Sequence, residues 1–475
     1  MQIYLINMPF FQQEYTKFSE KWEYIEDEYL GIEIVQQILE DEGCNVTVNK
    51  ENSMELMIDN ALEINPDCII ISVMQTSARL TYKFITELRK KGYDKEIFIG
   101  GWFAKMAWRE IFRNDWPVDY VCYGDAELVL KSWITNKNKF IIGIATKENY
   151  DFHDKYGMKI LRENNNWSEC YSGASRISGR NTYFIETSRG CPHSMCTFCS
   201  QSCGNIIQNK WQPLKMELVK QQIMDIHNKY GICRFSTTDD DLLGFDYQAE
   251  NRARELNILL KSLPFRVTFS ASISVRSATN GEILDYLQDA GLEQLCLGFE
   301  SADENQLKRY GKQQSLEENY IAAKEIRKRN IPILPGLITF DPFASKESVK
   351  KNLLFLFEEL EHYDLGKLTK KLHLLTGSPI VKLVERAGLL TGDYLYYDYV
   401  FQSDEVARLY NAFNRYTNMV KECQKRANAR HLQHNKKIGE HHRKVAERIL
   451  VDENWTEFAQ EEIKRIMKII GDESI

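Results

Sequence analysis

At 475 residues the chain is long enough for two or three domains, each with its own buried core, which excludes a small metal-stapled module. A formal charge of -7 and a pI near 5.9 provide no global attraction to nucleic acid or to an acidic membrane surface, so neither is expected as a partner. Eleven cysteines, most of them scattered singly, argue for reduced thiols rather than a disulfide framework.

The opening MQIYLINMPF has no basic n-region, long apolar run or small-residue cleavage site. Apolar runs such as Cys68 to Met74 fall far short of the roughly 18 residues that span a bilayer. A cytoplasmic location is therefore expected.

Residues 1–135 alternate strand and helix. IYLIN (3–7) is a short apolar strand. Leu30, Ile34, Val35, Ile38 and Leu39 then recur at helical spacing until Gly43. CIIISV (68–73) reads as a buried strand, Leu80 to Leu88 as a helix, and IFIGG (97–101) as a strand ending in glycines. This pattern predicts a Rossmann-like parallel sheet with ligands at the carboxyl ends of its strands.

Residues 136–180 show no sustained period, and the polar run Asn164 to Asn166 marks a linker or small subdomain. Strands follow at 182–187, 234–238, 266–272, 294–299, 333–340 and 371–375, each separated by a helical pattern. Six such units over 181–380 predict a partial (β/α)6 TIM-like barrel with its chemistry on the loops after the strands. Residues 381–475 form a helical C-terminal region. Its stretch 421–444 holds four of the nine histidines and reads as a solvated helix face rather than a metal site. The fold class is thus α/β throughout, ending in helices.

The segment SRGCPHSMCTFCSQSC (188–203) follows the first barrel strand directly. Cys191, Cys196 and Cys199 are spaced C-x4-C-x2-C, and three thiolates around an iron–sulfur cluster leave one iron open. Cys196, Cys199 and Cys203 form a rival set. Zinc is the alternative metal, with the C-x2-C pair completed by His193 or Cys203.

RGCPHSMCTFC resembles the signature of radical S-adenosylmethionine enzymes, with one residue more than the usual C-x3-C-x2-C. The resemblance spans about 180–380 and implies a [4Fe-4S] cluster on Cys191, Cys196 and Cys199, with S-adenosylmethionine on the open iron. It places Phe198 against the adenosyl moiety. One aspartate of Asp239, Asp240 and Asp241, taken as the central Asp240, would meet the amino group, against a helix-capping role for these residues. Arg276 would grip the methionyl carboxylate, with a surface ion pair as the rival reading, and Glu300 and Ser301 would reach the ribose hydroxyls.

Residues 1–135 resemble the cobalamin (B12)-binding domain that precedes the barrel in one branch of this superfamily. The matching stretches are NMP (7–9), 29–43, 66–77, 97–105 and 118–127. They imply a corrin against Met74, Gln75, Thr76, Ser77, Gly100, Gly101, Trp102 and Gly124. The cobalt-ligating pattern D-x-H-x-x-G is absent from this domain; Asp151, His153 and Gly157 come near it, and His153 reads as a linker residue.

The family's chemistry is hydrogen abstraction by a 5′-deoxyadenosyl radical, fed by a one-electron reductase. With cobalamin it implies C-methylation of a peptide or small natural product. Epimerisation, with Cys296 as hydrogen donor, cyclisation and rearrangement are alternatives, and a non-catalytic zinc and cobalamin sensor that recruits a partner is the alternative from another class.

Overall fold

The computed structural model describes residues 1–8, 30–51, 53–136, 140–163, 167–170, 183–203, 211–426 and 436–469. Pro9, the run Asn164 to Asn166, and His431 and His434 of the histidine-rich stretch lie outside the described residues. Five parallel strands, β1 (Gln2–Asn7), β2 (Asn45–Val48), β3 (Cys68–Ser72), β4 (Glu96–Gly100) and β5 (Tyr120–Cys122), pair in the order β2-β1-β3-β4-β5. Ile69, Ile70 and Ile71 on β3 are all buried because helices cover both faces, which is why this strand reads as an unbroken apolar run. The strand order reverses between β1 and β3, which opens a crevice beyond their carboxyl ends.

The edge strand β2 and the helix Met54–Ile64 had no clear signal, since NVTV exposes alternate residues and carries little apolar weight. The segment read as a linker contributes β6 (Ile144–Ala145), antiparallel to β5. His153 within it is buried, with Nδ1 2.5 Å from the Tyr123 hydroxyl, so it is a core residue of this layer rather than part of a loose linker.

The barrel strands Tyr183–Ile185, Arg234–Thr237, Thr268–Ile273, Leu292–Glu300 and Ile333–Leu337 are parallel, each beside the next in chain order. The sixth strand expected at 371–375 is reduced to one parallel bridge, Phe340 to Lys371. On the fourth strand Leu295, Leu297 and Phe299 point into the helix-covered layer, so Cys296, Gly298 and Glu300 face the barrel interior.

An antiparallel hairpin, Leu390–Asp393 with Tyr396–Tyr399, follows the barrel and was not foreseen. Three helices close the described chain, Asp404–Arg426, Lys436–Val451 and Thr456–Ile469. Where a solvated face was expected, His442 is buried with Nδ1 2.6 Å from the Tyr416 hydroxyl, and His441 meets the Glu462 carboxylate at 2.5 Å. Charged neighbours in the sequence hid an interior helix face. Among the described residues no helix is long and apolar enough to cross a membrane.

The hairpin docks on the N-terminal layer. Gln75 Nε2 donates to the Leu395 carbonyl at 2.9 Å, Trp116 Nε1 to the Tyr394 hydroxyl at 2.7 Å, and Arg79 pairs with Asp393 at 3.1 Å. Trp102 and Met106, just past the end of β4, pack with Cys203 and Leu375 from the barrel's loop side. The carboxyl edges of the two sheets therefore face each other.

Candidate active site

A cavity of about 590 Å³ opens within the barrel, lined wholly by residues between Cys191 and Lys370, and Cys191, Cys196 and Cys199 line it together with Phe198, Glu300 and Lys312. The cysteine loop is pinned from outside. Thr197 donates its N–H to Tyr310 O at 2.8 Å and its hydroxyl to Arg309 O at 3.0 Å, and Ile380 N–H reaches Thr197 O at 2.9 Å. Gly311, with φ of 64°, ends the helix Glu304–Tyr310 in a left-handed turn, and a Cβ there would come within 3.2 Å of Met195 O. The turn lets the loop lie directly on this helix end.

Burial raises all three thiol pKa values, Cys196 to about 12 and Cys199 to about 11. Lys312 opposes the rise at Cys196, backbone N–H groups of His193 and Ser194 oppose it at Cys191, and the three sulfurs repel one another as thiolates. A cationic centre bound among them would displace the protons and remove that repulsion. Among the described residues no group of three or more His, Cys, Asp or Glu side chains is placed to hold a metal ion. Three thiols facing one cavity are nonetheless the donor set of an iron–sulfur cluster with one open iron, and Lys312 lines the same cavity.

Of the ligands that zinc would recruit, Cys203 is buried outside the cavity lining and directs its thiol to Thr376 O at 3.6 Å. His193 lines the cavity with Nε2 2.7 Å from Gly311 O, and its Nδ1 is buried without a hydrogen-bond partner among the described residues. The rival triad with Cys203 is therefore not gathered around the cavity.

The three consecutive aspartates separate by role. Asp239 is buried and accepts from Thr187 N at 2.8 Å, Thr187 Oγ1 at 2.6 Å and Ser188 N at 2.9 Å, fixing the strand end that feeds the cysteine loop. Asp241 accepts from the N–H groups of Leu243 and Gly244. Asp240 opens on the cavity, held by Gln201 Nε2 at 2.6 Å, and desolvation raises its pKa.

Phe198 lines the cavity and meets Tyr310 edge-on, with ring centroids 5.2 Å apart. Glu300 also faces it from a left-handed backbone (φ 61°) at a register shift, and pairs with Lys312 at 3.3 Å. Ser301 does not face it. Its hydroxyl is buried against Gln306 Oε1 at 2.6 Å and Asn352 Oδ1 at 3.0 Å, because the next residue on a strand points to the opposite face. Arg276 borders the cavity, but its guanidinium is spent on Glu318 at 2.9 Å, Asp246 at 3.1 Å and Gln313 O at 2.8 Å. The rival ion pair describes it better than a carboxylate grip.

At the carboxyl edge of the N-terminal sheet, Met74 to Ser77 and Gly100 to Trp102 lie where a planar ligand would approach. Thr76 Oγ1 is buried there without a hydrogen-bond partner among the described residues, an orphan that suits a bound ligand. Gln75 is instead a strut, since its amide also accepts from Thr376 N at 3.1 Å, and Ser77 closes on Met74. Gly101 and Gly124 serve their own chain: a Cβ on Gly101 would lie 2.8 Å from Val73 N, and one on Gly124 3.0 Å from Val129 Cγ1.

Sequence reasoning missed Lys312, Gln201, Lys367 and Lys370 at the cavity. Period-2 alternation could have separated Glu300 from Ser301. Nothing local marks the lysines, which follow no motif.

Residues 185–356 match the Radical SAM superfamily and residues 28–133 the B12 binding domain. The 4'-phospho-dehydrooxetanocin synthase of Priestia megaterium is 25% identical over 346 residues, 66% of this chain and 46% of that protein. The bacteriochlorophyllide d C-8(2)-methyltransferase of Chlorobaculum tepidum is 24% identical over 308 residues, 61% of this chain and 64% of that one. The chain thus spans about half to two thirds of the length of these curated relatives. Among solved structures, the cobalamin-dependent S-adenosylmethionine radical enzyme OxsB, with aqua-cobalamin and S-adenosylmethionine bound, shares the fold. Its TM-score is 0.69 at 18% identity, over 100% of this chain and 76% of that one.

Proposed function

Because the chain belongs to the radical SAM superfamily and carries a B12 binding domain ahead of its barrel, we propose that this cobalamin-dependent radical enzyme methylates a carbon of a small-molecule or peptide substrate. The observation that carries the proposal is the convergence of the two carboxyl edges. It brings the loop side of the barrel, where three thiols face the cavity, against the edge of a B12-type sheet. A methyltransferase among the relatives supports the same reading.

When bound, the cluster and S-adenosylmethionine supply a hydrogen-abstracting 5′-deoxyadenosyl radical, and cobalamin supplies the methyl group. The chain's own residues do the positioning. In this reading Cys191, Cys196 and Cys199 hold the cluster, Phe198 packs on the adenosyl moiety, and Glu300 accepts from the ribose hydroxyls while Lys312 balances its charge. Asp240, oriented by Gln201, receives the amino group of S-adenosylmethionine. Thr76, Met74 and Trp102 line the corrin side. An external one-electron reductase completes the requirements.

The test is anaerobic purification with cobalamin supplied, followed by iron, sulfide, zinc and cobalt analysis and assay with S-adenosylmethionine labelled in its methyl group. Four irons, 5′-deoxyadenosine and label in the product are expected. Product of unchanged mass in water that gains one deuterium from deuterated solvent would replace methylation with epimerisation, and stoichiometric zinc without 5′-deoxyadenosine would end the enzymatic reading. A rearrangement is the second reading open to a cobalamin-dependent radical enzyme. It predicts 5′-deoxyadenosine with no label in the product.

A further inference from the structure

Four acids and four bases line the cavity, but they are not paired one to one. Each acid is engaged: Asp240 by Gln201 at 2.6 Å, Asp241 by two backbone N–H groups, Asp246 by Arg276 at 3.1 Å, and Glu300 by Lys312 at 3.3 Å. Lys367 and Lys370 also line the cavity, and among the described residues neither ammonium has a hydrogen bond or ion pair. Their backbones are held in place, for Lys367 O accepts from Thr339 Oγ1 at 2.6 Å and Lys370 O from Phe340 N at 2.9 Å.

Desolvation lowers the pKa of Lys367, Asp364 and Glu300 pull it back up, and the charge of Lys370 lowers it further. The same positive field reaches His373, which desolvation and then Lys370 and Lys371 push down to about 4. Two neighbouring cations without a direct hydrogen-bonded partner, one of them partly drawn out of water, offer a site where an anion can join them. Two separate ammonium point charges suit a tetrahedral dianion, whereas a planar carboxylate is better met by an arginine fork.

We propose that Lys367 and Lys370 form a phosphate subsite of the substrate cavity, so that the substrate is a small molecule carrying a phosphate ester. This rests on the reading of the cavity as the radical enzyme's substrate site. The phosphate lies on the strand-five side of the cavity, where the lysine backbones are held by Thr339 and Phe340, and anchors the substrate by its charged end.

The experiment is equilibrium dialysis of radiolabelled inorganic phosphate against the full chain loaded with its cofactors, with radiolabelled S-adenosylmethionine dialysed in parallel. Lys367→Gln/Lys370→Gln should weaken phosphate binding about tenfold or more, about 1.4 kcal/mol, and leave S-adenosylmethionine binding within about twofold. Lys367→Arg/Lys370→Arg should retain phosphate. Lys370→Gln alone, at an exposed position, should still weaken phosphate severalfold if the double variant does not fold. Three outcomes overturn the proposal: no phosphate retained by the unaltered protein, equal retention by the glutamine variant, or a comparable loss of S-adenosylmethionine binding, which would assign the lysines to its methionyl carboxylate. Dialysis needs no turnover, so its outcome is independent of whether 5′-deoxyadenosine is made.

Discussion

Replacing Arg189 with methionine removes the cation at the centre of a buried charge cluster. Arg189 Nη2 donates to Glu186 at 2.7 Å and to Glu127 at 3.0 Å, Nη1 lies 3.5 Å from Asp125, and the guanidinium stacks over Trp167 at 4.3 Å. Asp125 also pairs with Lys105. The side chains of Asp125 and Glu127 are 0% and 3% exposed, so water cannot take over the lost contacts. Removing one partner of such a buried pair costs about 3–5 kcal/mol. At about 2–4 °C per kcal/mol for units of 150–250 residues, the melting temperature should fall by at least about 6 °C at pH 8.

The sign of the pH dependence follows from Glu186. Desolvation raises its pKa from 4.5 to about 7 although Arg189 opposes the rise. A carboxylate raised on folding stabilises the fold below its unfolded value, and this contribution is lost as pH rises through the folded one. Without Arg189 the folded value climbs further, so the deficit of Arg189→Met should be smallest near pH 6 and widen toward pH 9. Thermal melts of the two proteins across that range measure it. Melting within about 1 °C of the unaltered protein, with no widening, would refute the claim that Arg189 holds the cluster together, and Arg189→Lys, which cannot fork between two carboxylates, should recover only part of the loss.

Two further outcomes are expected. Cys203→Ala should keep the iron content of the anaerobically purified protein, whereas Cys191→Ala should lose most of it, because of these two only Cys191 lines the cavity; iron and sulfide analysis decides between them. His442 and His153, each lowered by desolvation from 6.5 to about 4, should make the fold progressively less stable as pH falls from about 6.5 toward 4, since the unfolded chain then binds the protons. His442→Phe should flatten part of that slope in thermal melts.

Both parallel sheets were legible because their strands carry dense apolar runs between amphipathic helices, and the cysteine loop was legible because its residues are contiguous. What escaped depends on partners far away in sequence. Arg276 is at a strand end as expected, yet Glu318 and Asp246, 42 and 30 residues away, claim its guanidinium. Gln75 is on the expected edge, but a hairpin more than 300 residues later uses its amide. Ser301 turns away from the cavity for a local reason, since adjacent residues on a strand point to opposite faces. His441 and His442 were read from composition, which cannot tell a charged exterior from a helix whose other side is interior.

The clasp between Gln75 and Leu395 also bears on how the chain folds. During synthesis the N-terminal sheet emerges first, and its carboxyl edge must wait for some 300 further residues before the Gln75 amide, the Trp116 indole and the Phe103 ring meet the hairpin. Contacts of such long sequence separation close late and slowly. The early sheet therefore spends that interval with a sticky, half-finished rim. Expressed alone it would keep that rim, so the natural unit of production for this protein is the whole chain through the hairpin.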